Sequence, residues 1–351
     1  MANSAALLKS FVGPVGDTVG GLRNKIINGG FDIWQRGVGP FVPAFLPPRI
    51  FTADRWNLNA TGTGTTTATA EQKEFADGQT EVPDNPEFYI EYQVFDTAVD
   101  GSAASSLSQA IENVGVLTGQ RVTVSFWMKG SVPGIIAITL SRGFGLGGSP
   151  RVINPIAEPT KFVNITTDWQ KFVVKLDVLD DVGKTYGPHE TSASGLNFST
   201  EARGHDPLDV QPKYTGFVSL AQVQLEIGDI DDPKFEKRDI GFELQLCQRY
   251  YEIAHRGESN FGKATLTNEM WINYKVEKRI PPAINFILRE QGPTSSHLAP
   301  GYLVQFNFTD GFSIKYALSP LFAPFRDVNL STATDPGGSR LSAPWTADAE
   351  L

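Results

Sequence analysis

From Ile26 to Glu226 the chain is dominated by stretches in which apolar and polar residues alternate, the period of a strand with one buried face. Val122, Val124, Phe126 and Met128 alternate with Thr123, Ser125, Trp127 and Lys129. In Phe88 to Thr97, Phe88, Ile90, Tyr92 and Val94 share one side, and Tyr89, Glu91 and Gln93 the other. Leu107, Gln109 and Ile111 share a side, Ile135 to Leu140 follows the Pro133-Gly134 turn, and Phe172, Val174, Leu176 and Val178 alternate after Trp169. In Phe217 to Glu226, the expected faces are Phe217, Ser219, Ala221, Val223 and Leu225 against Val218, Leu220, Gln222, Gln224 and Glu226. Thr52 to Asn59 is a further strand. Thr61 to Ala70, made only of Thr, Gly and Ala, reads as either a long strand with a small-residue face or a flexible loop, the strand being favoured because Thr suits β structure. About nine strands at this spacing, with almost no helical period, predict an all-β fold: a sandwich or jelly roll.

The chain opens this body at Asn24 to Gly37, NKIINGGFDIWQRG. Ile26-Ile27 precedes a turn at Asn28-Gly29-Gly30, where paired glycines permit positive φ. Phe31 to Trp34 then alternates like a strand with two different faces. Phe41 to Pro48 is apolar and proline-rich, a loop lying against the body. Gly183 to Pro207 is polar and reads as one long loop around Asn197-Phe198.

One helix is legible. Asp239 caps it, Glu243 lies in its first turn, and Ile240, Leu244, Cys247 and Tyr251 form a single stripe. Beyond it, Met270, Ile272, Tyr274 and Val276 alternate up to Pro281-Pro282. Val304, Phe306 and Phe308 alternate, Asp310-Gly311 turns, and Phe312, Ile314, Tyr316 and Leu318 alternate back, which predicts a hairpin. The expected layout is an arm over 1–23, a jelly roll over 24–238, a connecting helix over 239–253, a small β domain over 254–325 and a tail over 326–351. The arm reads as either a frayed terminus or an assembly arm that docks on a neighbouring subunit, the latter favoured because Leu7, Leu8, Phe11 and Val12 have no apolar partner nearby. The Gly- and Ser-rich tail is expected to be disordered or to lie on a neighbour.

Composition sharpens the class. Thirty-four glycines and 23 prolines among 351 residues fit a turn-rich β protein. A net charge of −9 repels phosphate and argues against sequence-independent nucleic-acid binding. The single cysteine, Cys247, excludes an internal disulfide framework and a cysteine zinc cluster. No apolar run approaches the ~20 residues of a membrane helix. Ala5 to Val15 is interrupted by Lys9, Gly13 and Pro14 and lacks a basic n-region, so it reads as a poor signal peptide.

Enzyme signals are poor. Gly143 to Gly148 imitates a phosphate loop, but Pro150 and a β pattern follow it where a helix is required. His189-Glu190 and His205-Asp206 lack metal-ligand spacing and read as solvated pairs. Asp180-Asp181 and Asp229 to Asp232 read as solvated turn acids.

Several segments together carry a resemblance. They are Asn24 to Gly37, Ala53-Asp54-Arg55-Trp56, Leu107 to Val114, Leu117 to Lys129 and Asp168 to Phe172. Ala221 to Gly228, Lys234 to Arg238, Cys247 to Tyr251 and Val276 to Pro282 complete the set. In this order and spacing the chain resembles a family of tailed-phage and prophage virion proteins whose N-terminal half is similar to a carbohydrate-binding jelly roll. The resemblance implies a non-enzymatic tail or fibre component, exposed on the virion, partnered by other virion proteins and assembled as a homotrimer. Host-surface polysaccharide is the implied ligand; a purely structural or capsid-surface role is the alternative. Sugar recognition needs an aromatic platform and hydrogen-bonding side chains, and Trp127, Lys129, Gln109, Gln222 and Gln224 are the candidates. Similar jelly rolls hold a structural calcium between the opening loop and the last strand, where Asn28, Asp32 and Glu226 would supply oxygens.

Overall fold

The alternating stretches become strands in the computed structural model, which describes residues 22–43, 49–61, 66–96, 104–153, 161–200, 214–254, 269–286, 301–307, 311–317 and 345–350. In chain order the first unit contains β1 (Arg49–Phe51), β2 (Trp56–Thr61), β3 (Thr66–Glu74), β4 (Phe88–Asp96), β5 (Ala104–Glu112) and β6 (Arg121–Gly130). It continues with β7 (Gly134–Gly143), β8 (Val152–Ile153), β9 (Lys161–Ile165), β10 (Gln170–Asp177), β11 (Ala193–Ser199) and β12 (Gly216–Ile227). They form two antiparallel sheets, an all-β jelly-roll sandwich. One sheet has seven strands in the order β1-β2-β5-β11-β7-β8, with β9 also on β7; the other has five, β10-β6-β12-β4-β3.

The faces predicted from periodicity are the faces buried between the sheets. Val122, Val124, Phe126 and Met128 of β6 meet Leu107 and Ile111 of β5 and Ile136, Ile138 and Leu140 of β7 in one apolar cluster. Each fully buried side chain of this kind stabilises the fold by about 1.5–3 kcal/mol relative to exposure. Phe126 packs edge-on against Phe198 of β11, and Trp56 of β2 packs on both Phe198 and Phe31.

Four expectations for this unit are corrected. Gly183 to Pro207 is not one loop: Ala193–Ser199 is β11, an interior strand between β5 and β7, with Leu196 and Phe198 fully buried. The pattern of β12 shifts phase at a bulge between Ala221 and Gln224, where Gln222 adopts a φ of +48°. The extra residue moves the core face from Val218 and Leu220 to Val223 and Leu225, so strict alternation fails there. Phe31 to Trp34 alternates in burial but pairs with no strand. Positive φ in the opening turn falls on Asn28 (+55°) and Phe31 (+61°), not on the two glycines. Gly29 is needed for space instead, since a Cβ there would collide with the Val223 carbonyl oxygen.

The second unit, Gly241–Leu351, begins with α1 (Ile240–Gln248) at its boundary. The helix is shorter than expected. Tyr251 belongs to β13 (Tyr251–Ala254), and the buried helix residues are Glu243, Cys247 and Gln248, while Ile240 is exposed. The remaining strands are β14 (Glu269–Asn273), β15 (Ala283–Phe286), β16 (Gly301–Asn307), β17 (Gly311–Ala317) and β18 (Trp345–Asp348). The expected hairpin is present as antiparallel β16 and β17, which continues to β14. The tail is corrected in part: its Trp345–Asp348 forms the middle strand of β13-β18-β15. The Met1 to Gly21 stretch of the arm, residues 318–344 and the His205-Asp206 pair lie outside the described residues.

At the heart of this unit Lys278, fully buried, donates to the Gln248 carbonyl at 2.6 Å and to Glu252 Oε2 at 2.5 Å. Its Nζ also lies 4.8 Å from the Tyr274 ring centroid. Burial pushes the Lys278 amine below its ordinary value, and Glu252 opposes that shift.

Candidate functional site

The glutamines expected to contact sugar are spent on backbone groups. Gln109, buried on the core side of β5, accepts from the Ile27 amide at 2.8 Å and donates to its carbonyl at 2.7 Å. Gln222 donates to the Pro83 carbonyl at 2.8 Å, tying the bulge to the β3–β4 connection. Gln224 accepts from the Glu236 amide at 2.6 Å and donates to the Lys234 carbonyl at 2.9 Å and to Glu226.

Trp127 and Lys129 do lie together on the outer face of the five-stranded sheet. There Trp127 packs, half-buried, on a satellite cluster of Val82, Trp169 and Ala221 with Phe75 and Tyr89. Phe75, Tyr89 and Trp169 contact one another at 4.7–5.3 Å between centroids, and the Lys129 amine sits 5.1 Å from the Trp169 centroid. Burial raises the Tyr89 hydroxyl pKa, with Glu91 adding to the effect. Small apolar clusters beneath long connections are a usual device for pinning them.

The calcium expectation does not fit the partners found. Asn28 donates to the Ile33 and Asp54 carbonyls and accepts from the Ile33 amide. Glu226 faces the Arg23 guanidinium at 3.2 Å and accepts from Gln224, and Asp32 is exposed. A calcium cage needs six or more oxygens converging on one point, and a guanidinium already lies against this carboxylate. These residues fix the opening loop to the β12 bulge instead, with Val223 N–H on the Gly29 carbonyl at 2.9 Å and Trp56 Nε1 on the Asn28 carbonyl at 3.0 Å.

The outer face of the seven-stranded sheet carries a different pattern. In register across five strands lie Phe51, Asn57, Ser108, Asn197 and Thr139. At a strand spacing of about 4.8 Å the row runs roughly 19 Å, long enough for a short oligosaccharide. Asn59 donates to Asn57 Oδ1 at 2.7 Å and to Ser108 Oγ at 3.1 Å, and Ser108 donates to Asn57 Oδ1 at 2.8 Å. Asn197 donates to the Gly195 carbonyl at 3.0 Å. Each amide is therefore held in place by one end. Asn57 and Ser108 are buried, while Asn59, Asn197 and Thr139 are partly exposed and are the members of this face that a ligand could reach. At one end of the row the Arg36 and Arg49 guanidinium carbons lie 4.9 and 5.4 Å from the Phe51 ring centroid. At the other, Arg151 donates to Ser141 Oγ at 2.8 Å. The sequence pattern does not announce this face, because β11, which supplies Asn197, lies within the polar stretch Gly183 to Pro207.

One pole of the sandwich holds a buried ion pair. Arg142 (side chain 1% exposed) and Asp181 (7%) pair directly, correcting the expectation of a solvated turn acid. Arg142 also donates to the Val114 and Leu179 carbonyls at 3.1 and 3.0 Å and to Thr118 Oγ1 at 2.5 Å. Burial alone would raise the Asp181 carboxyl, but hydrogen bonds from Arg142, Thr118 and Tyr186 outweigh it and hold the group below its ordinary value. Neighbouring His189 and Glu190 are exposed, as expected of them.

No protein-family model matches the chain, and no curated protein matches it. Among solved structures it is similar to the enzymatically active domain of tailspike protein 4 of bacteriophage CBA120. There the identity is 13% and the TM-score 0.33, over 59% of this chain and 22% of that one. A CBM4 protein shares 17% identity at a TM-score of 0.31, over 57% of this chain and 98% of that one. The family 11 carbohydrate-binding module of Clostridium thermocellum shares 10% at 0.31, over 56% and 99%. Such likenesses concern the β-sandwich alone, and neither ligand nor activity transfers through them.

Proposed function

We propose that this protein is a non-enzymatic virion surface component, associated with a tail or fibre, that holds host-surface glycan on the outer face of its seven-stranded sheet. The observation that carries the binding role is the row Phe51, Asn57, Ser108, Asn197 and Thr139, in which Asn57 and Ser108 are buried and hydrogen-bonded to each other while Asn197 and Thr139 reach the surface. Fixed amides and hydroxyls suit sugar hydroxyls because each such group both donates and accepts. The sequence resemblance over Asn24 to Pro282 supports placement on a phage particle, and homotrimeric assembly belongs to the same proposal. Catalysis is left out of the proposal because the row holds no carboxylate pair, and its Ser108 hydroxyl donates to the Asn57 amide oxygen rather than to a base.

The test is binding of the purified chain to polysaccharide from the surface of susceptible cells. Asn197→Ala and Thr139→Ala together should weaken it by at least tenfold while circular dichroism stays unchanged. Trp127→Ala should lower stability and leave binding intact. If the first variant binds as the unaltered protein does, and the second loses binding, the contact lies on the five-stranded sheet and the proposal fails. A purely structural component would bind no host polysaccharide at all.

A further inference from the structure

We infer that residues 1–21 of the arm fold back, through Leu7, Leu8, Phe11 and Val12, onto an apolar patch at the Arg142–Asp181 pole of their own sandwich. The inference is independent of the glycan contact proposed above.

The pole is built from three connections: the short turn Val114–Leu117 after β5, residues 144–149 after β7, and residues 178–192 between β10 and β11. Large apolar side chains stand out on all three. Val116 is exposed on the first, Leu146 (79%) on the second, and Leu179, Val182 (90%) and Tyr186 on the third. Single exposed apolar residues are ordinary, but several gathered at one end mark an interaction surface. The connections are also tied to one another. The Gly187 amide donates to the Phe144 carbonyl at 2.7 Å, the Ser149 amide to the Thr185 carbonyl at 2.8 Å and the Leu146 amide to Thr191 Oγ1 at 2.9 Å. Tyr186 meets the Phe144 ring edge-on at 5.8 Å between centroids and donates to Asp181, which pairs with Arg142. The buried ion pair thus fixes the shape of a surface whose apolar side chains are left in water.

The arm joins the sandwich at the same pole. The Lys25 amide donates to the Leu225 carbonyl at 2.8 Å and Arg23 reaches Glu226, so the chain before residue 23 leaves beside the end of β12. Ile227 there pairs with Val122 at the start of β6, and Gly119, just before β6, donates its amide to the Leu179 carbonyl. Leu22 and Ile227 are themselves exposed apolar residues on this side. The opening segment, β12, β6 and β10 lie side by side, so three strand spacings, roughly 14 Å, separate Leu22 from the end of β10. Phe11 stands eleven residues before Leu22, and that length of extended chain spans up to about 36–40 Å. The arm therefore reaches the whole pole of its own subunit. A linker this short holds it there at an effective concentration on the order of millimolar, which favours its own pole over another copy's. Leu7, Leu8, Phe11 and Val12 fall at i, i+1, i+4 and i+5, the spacing that gathers apolar residues on one side of a helical turn.

Lys9 sits inside the arm's apolar cluster, so tryptic cleavage after it reports docking. In the full chain that cleavage should be at least tenfold slower than in Leu146→Ser with Val182→Ser, and than in Leu8→Ser with Phe11→Ser. The two pole positions are exposed and the arm precedes the sandwich, so both variants keep the fold, which circular dichroism checks. Deleting residues 1–21 should speed amide hydrogen exchange over 144–149 and 179–187 and leave β6 unchanged. Equal cleavage at Lys9 in the unaltered chain and both variants overturns the docking. Protection lost in the arm variant but kept in the pole variant seats the arm elsewhere and overturns the pole as its site. Protection that vanishes on dilution, as the light-scattering mass falls from oligomer to monomer, places the arm on a neighbouring copy and overturns the intramolecular reading.

Discussion

Replacing Asp181 by Asn should destabilise the sandwich by about 3–5 kcal/mol, the usual cost of leaving one member of a buried ion pair alone. The size follows from the surroundings. Arg142 is 99% buried by side chain and cannot reach water when its partner loses charge. Its remaining contacts, the Val114 and Leu179 carbonyls and Thr118 Oγ1, are neutral. They solvate the cation without balancing it, and low local dielectric makes that imbalance expensive. Urea unfolding followed by near-ultraviolet circular dichroism reads the effect. With a denaturant slope of about 3 kcal/mol/M, the midpoint should fall by roughly 1 M or more. Acid supplies a second reading with a fixed sign. The folded Asp181 pKa is depressed, so its stabilisation is complete above the unfolded value near ~3.9 and is lost as pH falls through the folded value. The gap between the unaltered chain and Asp181→Asn should therefore be constant from pH 7 to about pH 5 and close below about pH 4. A midpoint shift under about 0.2 M, or a gap that widens in acid, would refute the role given to this pair.

Gly29→Ala should be far more damaging than Gly37→Ala, by more than about 2 kcal/mol. At Gly29 a Cβ meets the Val223 carbonyl oxygen, whereas at Gly37 nothing lies within 4 Å and only the +100° φ is strained. Comparative thermal melts decide it, and equal melting temperatures would remove the spatial explanation for Gly29. In the second unit, Lys278→Met should cost about 3–5 kcal/mol by stranding Glu252. Adding Glu252→Leu should recover a large part of that loss, and a double variant no more stable than the single one would count against a coupled pair.

The core of the sandwich was legible because burial there repeats every second residue with large apolar side chains. β6 and β10 show this in full: Val122 to Met128 and Val174 to Val178 lie inward as their spacing requires. Legibility failed where one residue breaks the count. β12 looks like one alternating strand, yet the Gln222 bulge reverses it, and no local feature of Ala-Gln-Val-Gln announces a left-handed glutamine. It failed again in the second unit, where Trp345–Asp348 pairs with strands more than fifty residues away in sequence. Four residues carry too little pattern to be separated from tail.

The site was less legible than the core, and for a connected reason. A surface that offers hydrogen bonds in a flat row must keep its side chains short and polar, as Ser108, Asn197 and Thr139 are. Short polar residues on the outward face erase half of the alternation by which a strand is recognised. In β11 the inward half is thinned too, since Ser194 stands beside Leu196 and Phe198. Only two large apolar residues then remain to signal a strand that sits inside a seven-stranded sheet. Aromatic residues drew attention to Trp127, but a tryptophan on an outer face is as useful for pinning a long connection as for meeting a sugar. The 4.7–5.3 Å ring contacts of the cluster on which Trp127 packs are those of the former role. What distinguishes a contact surface is a row of polar side chains in register, some of them reaching the surface, and that becomes visible only once the register of neighbouring strands is known.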